Sequence, residues 1–182
     1  MPQVRECTTD ALSSAEREVL RAMLGAAYDG DFADEDWAHA LGGVHFMVHE
    51  GEAIVAHACV VPRALEIRRA GSPPRPFPTG FVEAVATVHG RRGQGLGTAV
   101  MRAATVLVRE RYALGSLCTG STSFYARLGW ERWRGLTFVR DDAGWSRTPE
   151  EDDTIMVLRT PSTGPLELTE DIACEWRPGD VW

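Results

Sequence analysis

Long apolar runs, paired cysteines and an excess of positive charge are all missing from this sequence. No stretch approaches the roughly 18 apolar residues of a membrane-spanning helix. The N-terminus has no basic-then-apolar leader pattern. The expectation is therefore a cytoplasmic chain with no membrane partner. The four cysteines, Cys7, Cys59, Cys118 and Cys174, are scattered without a C-x-x-C pair. They read as reduced thiols, not as a disulfide framework or a zinc site. Among the histidines, His39, His45, His49, His57 and His89, only His45 and His49 stand four apart, and they lie on or at the end of a strand, so none forms a helical i, i+4 metal pair. No metal centre and no histidine site are expected. The formal net charge of −7, from 19 basic and 26 acidic residues, argues against nucleic acid and suits a cationic partner. There is no internal repeat.

What is present is a globular composition: 182 residues, 44% apolar and 25% charged. That length suits one domain with its own core, spanning residues 1–182. Its organising stretch is Arg91-Arg92-Gly93-Gln94-Gly95-Leu96-Gly97-Thr98. An apolar run, Phe81 to Val88, precedes it and reads as a strand, and Thr98 to Arg111 follows with helical propensity. A strand, a glycine-rich turn and a helix N-terminus make an anion site, because converging backbone N–H groups and the helix dipole both favour negative charge. The two arginines add charge that does not titrate away. Gly90 and Gly95 have P-loop spacing, but Leu96 stands where the lysine belongs. Gly93 and Gly95 begin a dinucleotide fingerprint, but Thr98 occupies its last position.

The other elements follow from local signals. Residues 1–9 hold a weak first strand. Ser13 and Glu16 form a capping box ahead of a helix with Val19, Leu20, Met23, Leu24 and Ala27 on one face. Asp34 caps a short second helix that Gly42-Gly43 stops. Val44 to Val48 and Ala53 to Val61 read as a hairpin, with a further extended run from Ala64 to Arg69. The proline-rich stretch from Ala70 to Pro78 reads as a surface loop. Leu114 to Thr119 is a short strand, Phe124 to Leu128 a helix ended by Gly129, and Trp130 to Trp133 a strand. Arg134 to Pro149 reads as irregular, before a strand from Thr154 to Leu158. Trp130, Trp133 and Trp145 read as core and rim residues.

The pattern Arg92-x-x-Gly95-x-Gly97 resembles the acetyl-CoA loop of the GNAT N-acetyltransferases. Phe124-Tyr125-Ala126-Arg127-Leu128-Gly129-Trp130 resembles the late segment of that family, a tyrosine helix followed by a strand. The resemblance implies the GNAT fold, α/β (α+β) with a mixed central sheet and helices on both faces. A closer resemblance, to the aminoglycoside 2′-N-acetyltransferases, rests on Gly30-Asp31-Phe32, Asp36-Trp37, Leu41-Gly42-Gly43, Gly80-Phe81-Val82-Glu83, Arg147-Thr148-Pro149 and the ending from Trp176 to Trp182. It runs from near Ala11 to the last residue. The sequence departs from that pattern in an extended loop at 71–78 and a shortened segment between Cys118 and Tyr125. The resemblance implies a dimeric enzyme that uses acetyl-CoA to acetylate a 2′-amine.

The chemistry then assigns candidates. Cofactor contacts are expected from Val85, Ala86 and Thr87 and from Arg92, Gly93, Gln94, Gly95, Leu96, Gly97 and Thr98. Glu83, a carboxylate in an apolar strand, is the expected base, acting through water. The N–H of Val85 is the expected oxyanion donor and Tyr125 the general acid toward the thiolate. A polycationic acceptor needs carboxylates, and Asp31, Glu83, Glu151, Asp152 and Asp180 are candidates. Trp182 joins them: with Trp176 and Val181 it is expected to pack the chain end and present its α-carboxylate beside Asp180. Two other readings stay open: a GNAT enzyme acting on another polyamine or amino sugar, and a module that binds CoA without turnover.

Overall fold

The computed structural model of the chain describes residues 2–182, in two compact units. The first comprises residues 2–61 and Val82–Leu107, the second Pro62–Phe81 and Val108–Trp182. Three elements, β3 (Ala53–Arg68), β4 (Arg75–Thr87) and α3 (Leu96–Arg111), are continuous from one to the other.

In the first unit β1 (Arg5–Thr8) pairs antiparallel with β2 (Val44–Glu50), and β2 pairs antiparallel with the first part of β3. The capping box forms as expected at the start of α1 (Ser14–Ala27). The Glu16 N–H donates to Ser13 Oγ, and the Ser13 N–H donates back to Glu16 Oε2 at 2.9 Å. Arg5 also pairs with Glu16, and these contacts hold its carboxyl at about 2. Leu20, Met23, Leu24 and Ala27 pack with Leu12, Met47, Ile54 and Ala86. Val19 is 42% exposed, against expectation. The buried stripe is i, i+3, i+4, i+7 counted from Leu20, and Val19 falls one step off it. The short α2 (Asp34–Ala40) has Ala33 at its N-cap, not Asp34, and Asp36 accepts the Ala33 N–H at 2.8 Å. Gly42, at φ +89°, ends that segment.

In the second unit β4 begins at Arg75, inside the stretch expected to be a loop. The prolines do not prevent this, because they alternate. Pro76 and Pro78 are exposed while Phe77 and Thr79 are buried, so the missing N–H groups fall at every second position. There β4 runs parallel to β5 (Leu114–Cys118), which pairs antiparallel with β9 (Ile155–Arg159), and β6 (Glu131–Arg132) flanks β9. β3 is one strand to Arg68, not two, and its end pairs antiparallel with β10 (Asp171–Glu175). β10 lies parallel to β7 (Thr137–Asp141), which forms a hairpin with β8 (Gly144–Arg147) where irregular chain was expected. Trp130 and Trp133 are buried, at 2% and 1% exposure, and the Trp133 indole donates to Glu170 O at 3.0 Å. The mixed sheet with helices is the fold class expected from the sequence. Among the described residues no helix is long and apolar enough to cross a membrane.

Gly43 and Gly135 are required by close approach to backbone. A Cβ on Gly43 would lie 2.1 Å from Val60 O, a backbone atom on the paired strand. In α1, a Cβ on Gly25 would meet nothing within 4 Å. The expectation is opposite signs: Gly43→Ala lowers stability by about 2–3 kcal/mol through overpacking, while Gly25→Ala raises it by up to ~1 kcal/mol through helix propensity. Urea unfolding of the two variants checks this.

Candidate active site

The glycine-rich turn adopts the conformation its composition implies. Gly93 and Gly95 have φ +76° and +79°. A Cβ at either would meet nothing within 4 Å, so backbone conformation and not crowding calls for glycine. Leu96 is buried and begins α3, whose first turn closes with Ala99 N–H on Gly95 O at 3.0 Å. Residues 92–95 are exposed, leaving the turn at the surface. The two arginines already hold protein groups. Arg91 pairs with Glu50, and Arg92 donates to Ala27 O at 3.0 Å and Thr87 O at 3.3 Å. Arg92 therefore ties the turn to the last carbonyl of α1.

Ahead of that turn β4 contains a backbone anomaly. Ala84 has φ +51°, a left-handed conformation that costs an alanine about 1–2 kcal/mol. The carbonyls of three successive residues around it are taken by side chains. The Cys59 thiol donates to Glu83 O at 3.3 Å, His57 Nδ1 donates to Ala84 O at 2.7 Å, and the Tyr28 hydroxyl donates to Val85 O at 3.1 Å. At about 1 kcal/mol net for each such bond, the three together offset the strain. The kink separates Glu83, which is half-buried, from Val85.

His57 also contacts His45, whose Nδ1 lies 3.0 Å from His57 Nε2, and His45 Nε2 lies 2.8 Å from Thr9 Oγ. The Ala84 carbonyl only accepts, and this fixes the whole chain of protons. His57 carries its proton on Nδ1, so His57 Nε2 accepts from His45 Nδ1–H, and His45 Nε2 accepts from the Thr9 hydroxyl. Thr9 Oγ in turn accepts from the N–H groups of Gly42 and Gly43, at 2.9 and 3.2 Å. Both rings are fully buried and neutral. Burial lowers His45 to about 4 and His57 to about 3. His45 and His57 come together because positions 45 and 57 are diagonal neighbours on paired strands, which helical spacing cannot reveal. The ligand atoms of His45, His57 and Cys59 lie within 4.8 Å of one another, yet each of these atoms is engaged in the bonds just described.

The second unit holds the other candidates. Tyr125, in α4 (Thr122–Ala126), is 8% exposed and edge-on to Phe124. Burial pushes its phenol up to about 12, while a hydrogen bond with Thr119 opposes the rise. It is therefore a protonated group at neutral pH. Cys118 is at the centre of the group: its sulfur lies 3.2 Å from Glu151 Oε2 and 3.3 Å from Thr154 Oγ. Burial raises this thiol to about 12, and the charges of Glu151 and Asp180 add to the rise. Glu151 is half-buried and Asp180 exposed. Asp152 is a brace. Arg147 contacts both its oxygens, and Thr137 donates to Oδ1 through N–H and hydroxyl. Those bonds hold its carboxyl at about 2. The tail is tied down as expected. The Trp182 ring is 3% exposed with its indole N–H on Thr148 Oγ at 3.1 Å, and Arg63 donates to Val181 O at 2.8 Å. Trp176 does not join it and is 59% exposed.

The Acetyltransferase (GNAT) family model matches residues 10–130. An aminoglycoside 2′-N-acetyltransferase of Mycolicibacterium fortuitum is 45% identical over 179 residues, 96% of this chain and 89% of that protein. The chain belongs to the GNAT acetyltransferase family. Solved structures agree on the fold. The GNAT protein YhbS of Escherichia coli, in complex with CoA, matches with a TM-score of 0.65 at 16% identity, over 95% of this chain and 89% of that one. A GNAT acetyltransferase of Brucella melitensis in complex with acetyl-CoA matches with a TM-score of 0.59 at 15% identity, over 95% and 96%. The chain spans about a third of some longer chains it matches: 34% of a GCN5-related N-acetyltransferase of Kribbella flavida and 33% of a probable N-acyltransferase of Enterococcus faecalis.

In this GNAT chain the first unit carries Asp31, Glu83, Val85, Ala86, Thr87 and the turn from Arg92 to Thr98. The second carries Tyr125, Glu151, Asp152, Asp180 and Trp182. Asp31 is exposed beside Phe32, which stacks on Tyr28. Sequence reasoning missed Tyr28, His57, Cys59 and Cys118. Each acts on a group far away in the chain, so the only local hint was a polar or sulfur-bearing side chain inside an apolar run.

The buried histidines set a pH dependence. Their folded-state values lie below the roughly 6.5 of free imidazole, so the unfolded chain takes up protons first. Stability from this pair is complete above about pH 6.5 and is lost as the pH falls from there toward 4, by about 1.4 kcal/mol per pH unit for each proton. Asp152 and Glu16 contribute stability that is lost only at lower pH, as their carboxyls, held at about 2, protonate. Melting temperature is expected to decline between pH 6.5 and 5. A flat profile across that interval contradicts the neutral, buried pair.

Proposed function

We propose that this GNAT chain is an acetyl-CoA-dependent N-acetyltransferase acting on the 2′-amine of aminoglycosides. The observation that carries the reading is the 45% identity to the Mycolicibacterium enzyme across 96% of the chain. CoA and acetyl-CoA in the E. coli and Brucella GNAT structures support the choice of acyl donor. The pyrophosphate is assigned to the backbone N–H groups of residues 93–98 at the start of α3. The pantetheine arm is assigned to β4 at Val85, Ala86 and Thr87, as an added strand. With its guanidinium on Ala27 O and Thr87 O, Arg92 acts mainly by holding the turn in shape.

The acceptor arrives as an ammonium. Glu83, through a water, takes its proton, and the freed lone pair attacks the thioester carbon. The Val85 N–H donates to the oxyanion as the carbonyl π bond opens. The carbon–sulfur bond then breaks, and the Tyr125 phenol, kept protonated by burial, gives its proton to the thiolate. The second proton leaving the acylated nitrogen passes through water and restores Tyr125, while the proton held by Glu83 goes to solvent. Holding amine and thioester in contact supplies much of the rate. Asp31, Glu151 and Asp180 bind the acceptor's ammonium and hydroxyl groups, Trp182 frames them, and Asp152 braces the adjoining loop through Arg147. The enzyme works as a single cytoplasmic domain, residues 1–182, and as a homodimer. Sedimentation at micromolar concentration checks the dimer.

Two outcomes test the reading. Thiol release from acetyl-CoA is expected with tobramycin, which carries a 2′-amine, and not with kanamycin A, which carries a 2′-hydroxyl. Equal turnover of both sinks the regiochemistry, and turnover only with simple polyamines moves the acceptor to another class. Tyr125→Phe is expected to lower kcat by about 10²-fold with both KM values nearly unchanged, because its proton matters only as the thiolate leaves. An intact kcat makes Tyr125 a packing residue.

A further inference from the structure

Beneath the kink of β4 lies a polar chain that the reaction scheme does not use. It runs Thr9, His45, His57, Ala84 O, at 2.8, 3.0 and 2.7 Å. Both histidines are completely buried, and Thr9 is 7% exposed. None of these groups contacts solvent enough to act on a substrate. Packing alone does not account for them either, because an aliphatic pair would fill the same space between β2 and β3 at less desolvation cost. What the chain does is specific. Its terminal donor holds the carbonyl of the one residue in β4 with a left-handed backbone, at φ +51°. That residue sits between the proposed base and the proposed oxyanion donor.

We propose that His57 is a positioning residue for acetyl transfer: oriented by His45 and Thr9, it pins the Ala84 carbonyl and so sets the directions of Glu83 and the Val85 N–H. The inference rests on the roles proposed for those two residues. Orientation passes along the chain. Gly42 and Gly43 N–H groups occupy Thr9 Oγ as acceptor, and its hydroxyl proton goes to His45 Nε2 at 2.8 Å in preference to Gly43 O at 3.3 Å. His45 then donates from Nδ1, and His57 is left with its proton facing Ala84. A ring that donated from Nε2 would point its lone pair at the Ala84 oxygen, and the kink would lose its hold. Cys59 and Tyr28 fasten the carbonyls on either side, so the three contacts fix the peptide planes on both sides of Ala84.

Two substitutions separate this role from a structural one. His57→Asn places its amide N–H where Nδ1 stands and keeps the donor to Ala84 O. His57→Gln reaches the position of Nε2, keeps a contact with His45 and loses the donor to Ala84 O. Both remove the ring and should lower the melting temperature alike. The expected result in thiol release with acetyl-CoA and tobramycin is a kcat within about threefold of the parent for the Asn variant. The Gln variant should fall at least tenfold, after correction for folded fraction. Amide hydrogen exchange over residues 83–87 should quicken only in the Gln variant. Equal kcat in the two variants, or losses that follow melting temperature, overturns the positioning role. A parent protein that releases no thiol with any amine removes the proposed function itself, and the inference with it.

Discussion

A left-handed alanine in the middle of a strand does not persist without help, and the help here comes from three residues far apart in the chain. Tyr28 lies just past α1, and His57 and Cys59 on β3; each donates to one carbonyl of Glu83, Ala84 or Val85. Net hydrogen bonds of about 1 kcal/mol each balance a backbone cost of similar total size. The same interactions explain why two neutral histidines are buried in a unit whose core is otherwise mostly apolar. Their polarity is satisfied at every nitrogen, and the proton order is dictated by one carbonyl that can only accept.

The glycine-rich turn follows this kink by a few residues. Arg92 joins Thr87 O to Ala27 O, so α1, the end of β4 and the turn before α3 are fastened at one point. The positive charge there is less available than the composition suggests, since Arg91 is paired with Glu50. Under the proposed function, that leaves backbone amides and the α3 dipole to hold the pyrophosphate. The second unit is organised by an opposite charge. Cys118, Glu151 and Asp180 are close enough that each carboxylate raises the thiol. A cation would relieve that accumulation of negative charge, which suits a polyamine acceptor.

How much of this was legible follows from how local each signal is. The turn from Arg91 to Thr98 and the Ser13–Glu16 capping box are written in a few consecutive residues, and each formed as read; the helix read as Phe124 to Leu128 formed at Thr122–Ala126 and ends at Arg127, ahead of Gly129. The β7–β8 hairpin was hidden, because its charged turn, Asp141 to Gly144, reads as loop when its strands are only four or five residues long. The prolines of β4 misled because their effect depends on alternation in a pairing that the sequence does not print. Among site residues, Glu83 stood out as a charge in an apolar strand. The role of Asp152 became visible only once Arg147 and Thr137 were seen to hold it. His57, Cys59 and Cys118 act through partners on other strands, and nothing in their neighbourhoods along the chain says so.

The central claim is that acetyl-CoA is recognised by backbone groups, those of β4 after the kink and those of the turn before α3. Amide hydrogen exchange of the protein with and without acetyl-CoA tests it most directly. Protection is expected to concentrate in peptides covering residues 85–87 and 93–98, with little change in α2 or in the β7–β8 hairpin. Saturable binding with no added protection in those two segments, or protection confined elsewhere, contradicts the account.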